Sequence, residues 1–90
     1  MNDIVAMLVI EFDDSVDDIS RAMFIERLVE HGWKQGAVAN VWTLEFEPRG
    51  RATMRDTTRT HIELAAQFAR IEVSQLRAIA HYGEEEPLRL

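Results

Sequence analysis

The chain opens on a run of apolar residues, Ile4–Phe12, in which Glu11 is the one charged residue. The run is too short for a buried helix, and its β-branched side chains favour an extended backbone, so it predicts a β-strand. Apolar side chains occupy both alternating sets of positions in the run. We therefore expect a central strand that is covered on both sides.

The next segment has the pattern of an amphipathic helix over residues 15–31. Ser15 followed by Asp18 resembles a capping box, and acidic residues favour the positive N-terminal end of a helix. Gly32 after His31 is a typical helix stop. The apolar residues that recur at helical spacing are Ala22, Ile25, Leu28 and Val29.

Residues 38–47 alternate between apolar and polar, which predicts a half-buried strand. Its buried face would carry Val38, Trp42, Leu44 and Phe46. Pro48 and Gly50 follow in a sequence that is typical of a turn, because proline presets φ and glycine accepts a positive φ. We expect residues 51–57 to return as a polar hairpin strand. The inward side chains of that strand would be Ala52 and Met54.

The second half of the chain predicts another helix. Thr60 followed by Glu63 is a second capping-box pattern, and we expect the helix to continue to about Arg70. Its inward residues would be Ile62, Ala65, Phe68 and Ala69.

Residues 75–82 alternate again and predict a last strand. A helix that begins at Ser74 and ends at Gly83 is the alternative interpretation. The acidic tail, residues 84–90, is expected to fray.

The predicted order, strand–helix–strand–strand–helix–strand, is that of a ferredoxin-like α+β domain, in which two helices cover one face of an antiparallel sheet. The face away from the helices, the outer sheet face, would carry five apolar residues: Val5, Met7, Val9, Val41 and Ile79. Its charged rim would be Glu11, Arg55, Arg77 and His81. An apolar surface of this kind predicts a partner, and we expect a homodimer.

The composition narrows the class of protein. Ninety residues fit a single domain, residues 1–90, and without cysteine there is no disulfide and no thiolate zinc site. The longest apolar run, residues 4–10, is far below the roughly 20 residues that cross a bilayer, and no basic residue precedes it. We expect a cytoplasmic protein. The net charge of −6 argues against general coating of nucleic acid or anionic lipid.

One short segment departs from this acidic balance. It holds the candidate nucleic-acid-binding residues Arg49, Arg51, Arg55 and Arg59, interleaved with threonines. Guanidinium groups grip phosphate, and an arginine at a hairpin tip reaches an RNA backbone without regard to sequence. The alternative is that these arginines pair with acidic residues of the same chain.

The end of the first strand is acidic. Alternation places Glu11 and Asp13 on the outer sheet face, where two such strands at a dimer axis could hold a hard cation such as Mg²⁺. The alternative is that the acidic residues here serve only the helix N-terminus. The three histidines have no zinc-ligand spacing, and His81 is the one we consider as an acid or base, with an ordinary surface role favoured.

Three short segments resemble the small CRISPR-associated endoribonuclease-like family, which includes the GhoS-type antitoxins. They are residues 8–13 (LVIEFD), 27–33 (RLVEHGW) and 41–46 (VWTLEF), followed by the predicted helix at Thr60. The resemblance implies a ferredoxin-like homodimer. It also implies that Asp13 is the strand-end aspartate that holds a divalent metal.

Two functions remain open. One is a nucleic-acid-associated protein of a toxin–antitoxin or defence system, either a Mg²⁺-assisted endoribonuclease with Asp13 as catalytic metal ligand or a relic of one. The other is a non-catalytic acidic interaction protein, such as an antitoxin, immunity protein or inhibitor, that binds a basic partner. Its acidic helix face would carry Asp14, Asp17, Asp18, Glu26 and Glu30.

Overall fold

The computed structural model describes residues 3–36 and 40–83, together with the backbone of Leu88–Arg89. The elements, in chain order, are β1 (Ile4–Phe12), α1 (Asp18–Glu30), β2 (Lys34–Gln35), β3 (Val41–Phe46), α2 (Arg51–Ala69), β4 (Leu76–Tyr82) and β5 (Leu88–Arg89). A single 3₁₀ turn, Val73–Gln75, precedes β4. Residues 84–87 and Leu90 of the predicted frayed tail lie outside the described residues.

The strands form one sheet in the order β2-β3-β1-β4-β5, and every neighbouring pair is antiparallel. The two helices pack on one face of this sheet, so the fold is α+β and ferredoxin-like. The predicted central strand is confirmed with the same bounds, Ile4–Phe12, but within the chain only one of its sides is covered, because Val5 and Met7 on the other side are exposed. The predicted last strand is confirmed from Leu76, and the alternative helix from Ser74 is wrong, because helical turns there end at Gln75.

The predicted hairpin is wrong in its position. Residues 51–57 form the beginning of α2 instead of a strand, and the hairpin partner of β3 is the preceding short strand β2. β3 itself begins at Val41, and Val38 lies outside the described residues. Of the two side chains predicted to face inwards from 51–57, Met54 is buried and Ala52 is exposed.

α2 begins ten residues before the predicted start. Gly50 is its N-cap and contributes no side-chain hydrogen bond, so Thr60 is an interior residue and not a cap. Its hydroxyl donates to the carbonyl of Asp56 at 2.9 Å. Thr57 and Thr58 make the same bond to the carbonyl four residues back, which lets threonine hydroxyls remain inside a helix.

The predicted inward face of α2 is confirmed for Ile62, Ala65 and Ala69, which are buried. Phe68 is the exception, because 38% of it is exposed. It lies at the side of the helix that meets α1, where the Arg27 guanidinium stands 3.9 Å above the centre of its ring.

α1 begins later than predicted. Its N-cap is Asp17, whose carboxylate accepts a 2.7 Å hydrogen bond from the Ser20 N–H, so Ser15 is not the cap. The predicted end is confirmed: His31 is the C-cap and Gly32 has a φ of 99°. Phe24 and Leu28 of α1 pack into the core.

The core lies between the helices and the sheet. Its large, almost fully enclosed side chains include Trp33, Tyr82, Phe24, Leu8, Ile10 and Leu28. Trp42 is also buried, so both tryptophans belong to the core. Among the described residues, neither helix combines the length and the apolar character that a bilayer span requires.

Candidate functional site

The outer sheet face exposes apolar side chains of the central strand. Val5 is 48% exposed, Met7 is 44% exposed and, on β4, Ile79 is 38% exposed. Val9 is half-buried and lies in one cross-strand row between Val41 and Ile79. The structure therefore places all five predicted residues on one surface.

Charged residues stand at the two ends of this surface. Glu45 lies opposite Val5 at one end, and Arg77 lies opposite Glu11 at the other. His81 lies opposite Met7 and so belongs to the outer sheet face, as predicted. Arg55, which was predicted for the rim, is on α2 and so on the other side of the sheet.

Asp13 lies just beyond the end of β1 and is exposed. Its N–H donates a 2.7 Å hydrogen bond to the carbonyl of Gln75, which extends the pairing of β1 with β4. The Ser15 hydroxyl donates to Asp13 Oδ2 at 3.0 Å and accepts from Gln75 Nε2 at 3.1 Å. One oxygen of the Asp13 carboxylate is thus held by Ser15.

A polar cleft of about 340 Å³ opens beside Asp13. It is lined by Glu11, Phe12, Asp13, Ser74, Gln75, Leu76 and Arg77. No group of three histidine or acidic side chains that could hold a metal comes together within residues 3–36 and 40–83. Mg²⁺ keeps several waters and often takes only one or two carboxylates, so Glu11 and Asp13 are the two that would hold it here.

The predicted arginine segment is divided. Arg51, Arg55 and Arg59 lie on successive turns of α2, about 6 Å apart along the axis, and form what we call the arginine row. Arg49 precedes the helix, and its guanidinium lies 5.7 Å from the centre of the Phe46 ring. The segment is therefore a helix side and not a hairpin tip.

The arginine row is on the β4 side of α2. Arg59 lines a small apolar groove with Leu76 and Ala78 of β4. Burial raises the pKa of Tyr82 at the far end of β4, and the charges of Arg55 and Arg51 act in the opposite direction. Arg55 also forms a 4.0 Å ion pair with Asp56.

Asp13 and most of the arginine row lie at opposite ends of the sheet. Asp13 is bonded to Gln75, just before β4 begins, whereas Arg51 and Arg55 act on Tyr82, where β4 ends. Seven extended residues span roughly 20 Å. Arg51 and Arg55 therefore do not form one site with Asp13 within a single chain, whereas Arg59 lines a groove with Leu76, which also lines the cleft beside Asp13.

The acidic face of α1 is on the surface. Asp14, Asp17, Asp18 and Glu26 are exposed, and Glu30 forms a 3.1 Å ion pair with Arg27. Asp17 also has a structural role, because the Ser20 N–H that it accepts lowers its pKa.

Sequence reasoning missed a cluster at the other end of α1. The rings of His31 and His61 stack with their centres 4.4 Å apart, and the indole of Trp33 donates a 3.0 Å hydrogen bond to Nδ1 of His61. Thirty residues separate the two histidines, so only the packing of α1 against α2 brings them together.

Comparison with known proteins gave no match among family models, curated proteins or solved structures. The resemblance to the endoribonuclease-like family therefore stays a prediction.

Proposed function

We propose that this protein is a cytoplasmic interaction protein that acts as a homodimer joined through its outer sheet face. The observation that carries the proposal is the exposure of Val5, Met7 and Ile79, two of them on the central strand. Apolar patches at such positions mark interaction surfaces. Covering the exposed half of Val5 or Met7 contributes about 1 kcal/mol each before the costs of association.

The chemistry of the face favours a protein surface over a nucleic acid. The middle of the face is aliphatic, and among its described side chains only Arg77 and His81 have a flat group on which a base could stack. In such a dimer, a two-fold axis that lies between the two sheets and perpendicular to the strands makes the strands of one copy run opposite to those of the other. This arrangement brings Glu45 of each copy towards Arg77 of the partner subunit and makes the ends complementary.

Both helices pack on the side of the sheet opposite the outer sheet face. In the proposed dimer α1 therefore lies on the outside. Asp18 and Glu26 are exposed there and suit a basic protein partner. This arrangement supports the antitoxin, immunity-protein or inhibitor class.

The test of the dimer is light scattering over a concentration series. We expect the native chain to have twice the chain mass and Met7→Glu to have the single chain mass. Leu64→Glu is the matched control, because Leu64 and Met7 are both 44% exposed but Leu64 lies on α2. A native chain that is monomeric at high micromolar concentration would rule out the dimer, as would equal effects of the two substitutions.

The arginine row favours a second candidate function, association with RNA. Arg59 is exposed and Arg51 and Arg55 are half-buried on the same side of α2, and this spacing suits phosphate contacts that carry no sequence preference. The row lies on the helix side of the sheet, so the proposed dimer does not cover it.

The decisive comparison for RNA is between Arg59→Ala and Arg70→Ala, which remove the same charge from the arginine row and from the C-cap of α2, outside the arginine row and the outer sheet face. Arg59→Ala should weaken binding of a labelled single-stranded RNA and reduce the salt slope by about one, measured between about 50 and 200 mM salt. Equal effects of the two variants would mean that RNA binding depends on the overall charge of the protein and not on the arginine row.

The resemblance carries a further proposal, Mg²⁺-assisted RNA cleavage with Asp13 as the metal ligand. When bound, Mg²⁺ would neutralise charge on the reacting phosphate. Asp13→Asn should then abolish cleavage that a chelator also abolishes, while thermal stability changes little, because Asp13 is exposed. Cleavage by this variant at the native rate would remove Asp13 from the mechanism.

A further inference from the structure

The end of α1 is joined to α2 by three ring side chains, Trp33, His31 and His61, which we call the histidine cluster. The two imidazoles are nearly parallel, with 8° between their planes. The indole ring of Trp33 meets His61 edge-on at 86° and is only 1% exposed. The cluster thus holds the last turn of α1, and the link to β2, against the middle of α2.

The hydrogen bond from Trp33 fixes the protonation state of His61. Because the indole Nε1–H donates to Nδ1, this nitrogen must carry a lone pair, and the ring is neutral with its proton on Nε2. A second proton on His61 would have to enter at Nδ1. It would face the indole N–H, and a buried donor would lose its acceptor.

His31 opposes the same charge from the other side. Its ring lies face to face with His61, and its Nε2 is buried without a hydrogen-bond partner among the described residues. Burial lowers the pKa of His61, and the nearby His31 lowers it further.

Charged groups of both helices lie near the cluster, and Lys34 follows Trp33 on β2, where it is exposed. Arg27 and Glu30 of α1 neutralise each other at 3.1 Å, and Arg27 lies over Phe68. On α2, Asp56 shares an open groove with His61 and is within ion-pair distance of Arg55. The lowered pKa of His61 is therefore caused by burial and by His31.

We propose that the histidine cluster is an acid-sensitive connection between α1 and α2. At neutral pH the neutral His61 accepts the indole N–H and joins the two helices. On protonation the bond from Trp33 breaks, and the contact of His31 and Trp33 with His61 of α2 loosens. The rest of the sheet and the core of α2 remain folded.

NMR on the native chain tests this proposal, with Trp42 as an internal reference. Between pH 7.5 and 5, we expect hydrogen exchange of the Trp33 indole to rise relative to that of the Trp42 indole, by up to about tenfold for each pH unit between the ordinary histidine pKa of about 6.5 and the lowered pKa of folded His61. Far-UV circular dichroism should change little over this range. A constant ratio of the two exchange rates down to pH 5 would overturn the proposal.

The sharpest variant is His61→Asn. Its side-chain oxygen is attached at the position of Nδ1, so it accepts the indole N–H and does not titrate. We expect the pH dependence of the exchange ratio to disappear in this variant and to persist in His81→Gln, which removes a histidine from the sheet face. Persistence in a folded His61→Asn would contradict the assignment.

A second variant covers the case in which His61→Asn does not fold. His31→Leu removes the opposing imidazole and leaves Trp33 and His61 in place. We expect the midpoint of the exchange transition to move to higher pH, towards the ordinary histidine pKa of about 6.5. An unchanged midpoint would mean that His31 does not affect the protonation of His61 and would overturn the proposal in the form stated.

Discussion

The hydroxyl of Tyr82 donates a 2.7 Å hydrogen bond to Oγ1 of Thr58 in the core between α2 and β4. The Thr58 hydroxyl in turn donates to the carbonyl of Met54 at 2.9 Å. Thr58 is fully buried and Tyr82 is 1% exposed, so neither hydroxyl can form a hydrogen bond with bulk water. The bond fixes α2 over the end of the last core strand.

Thr58→Val should destabilise the fold more than Tyr82→Phe. The valine keeps the shape but leaves the buried Tyr82 hydroxyl with only the 3.4 Å contact to Met54, at a cost of about 1–3 kcal/mol. In Tyr82→Phe the Thr58 hydroxyl keeps its bond to Met54, and the cost is about 0.5–1.5 kcal/mol. Urea unfolding measures both, and the double variant should cost less than the sum.

Tyr82 should also make the fold sensitive to alkali. Because burial raises the pKa of Tyr82 from its usual 10.0, the neutral phenol is favoured in the folded chain. The stabilisation that the neutral Tyr82 phenol gives to the fold is complete below about pH 10 and is lost as pH rises through the pKa of Tyr82 in the folded chain. Unfolding free energies followed upward from pH 9 should fall more steeply in the native chain than in Tyr82→Phe. Parallel curves would contradict this.

Thr60→Ala distinguishes the observed helix from the predicted one by the sign of its effect. Thr60 is exposed inside α2, where alanine is the better helix former by roughly 0.5 kcal/mol. If Thr60 were an N-cap, the same substitution would cost about 1 kcal/mol. Urea unfolding should therefore find a small stabilisation, and a loss of stability would mean that α2 begins where the sequence alone predicts.

The same helix explains why the sequence analysis failed where it did. The apolar series Met54, Ile62 and Ala65 has a gap at Thr58, a polar residue at a core position. Its hydrogen bonds with Tyr82 and Met54 make that burial tolerable, and the sequence carries no sign of them. Without that position the series resembles a short helix preceded by a polar strand.

Other elements differed in how much sequence signal they carried. β1 was predictable because apolar residues on both sides mark a central strand, and its exposed side followed from simple alternation. β2 was not predictable, since Lys34 and Gln35 are polar and exposed and are defined only by pairing with β3. The stacked histidines depend on helix packing in the same way.

The N-cap of α1 gives the last prediction. The hydrogen bond from the backbone N–H of Ser20 has the largest effect on the pKa of Asp17, which it lowers from the usual 3.8. A hydrogen bond with the Ser20 side chain lowers this pKa further. The stabilisation from this carboxylate is therefore present above about pH 3.8 and is lost as pH falls through the folded pKa. Asp17→Ala should lower the melting temperature at pH 7, and the difference from the native chain should shrink towards pH 2–3.

Asp14→Ala is the matched control, because it removes an exposed carboxylate of the same charge that precedes the helix and caps nothing in the described structure. Thermal unfolding followed by circular dichroism should find a smaller effect for this variant at pH 7. Equal losses in the two variants would mean that Asp17 acts through its charge alone, because the hydrogen bond to Ser20 is what distinguishes it from Asp14.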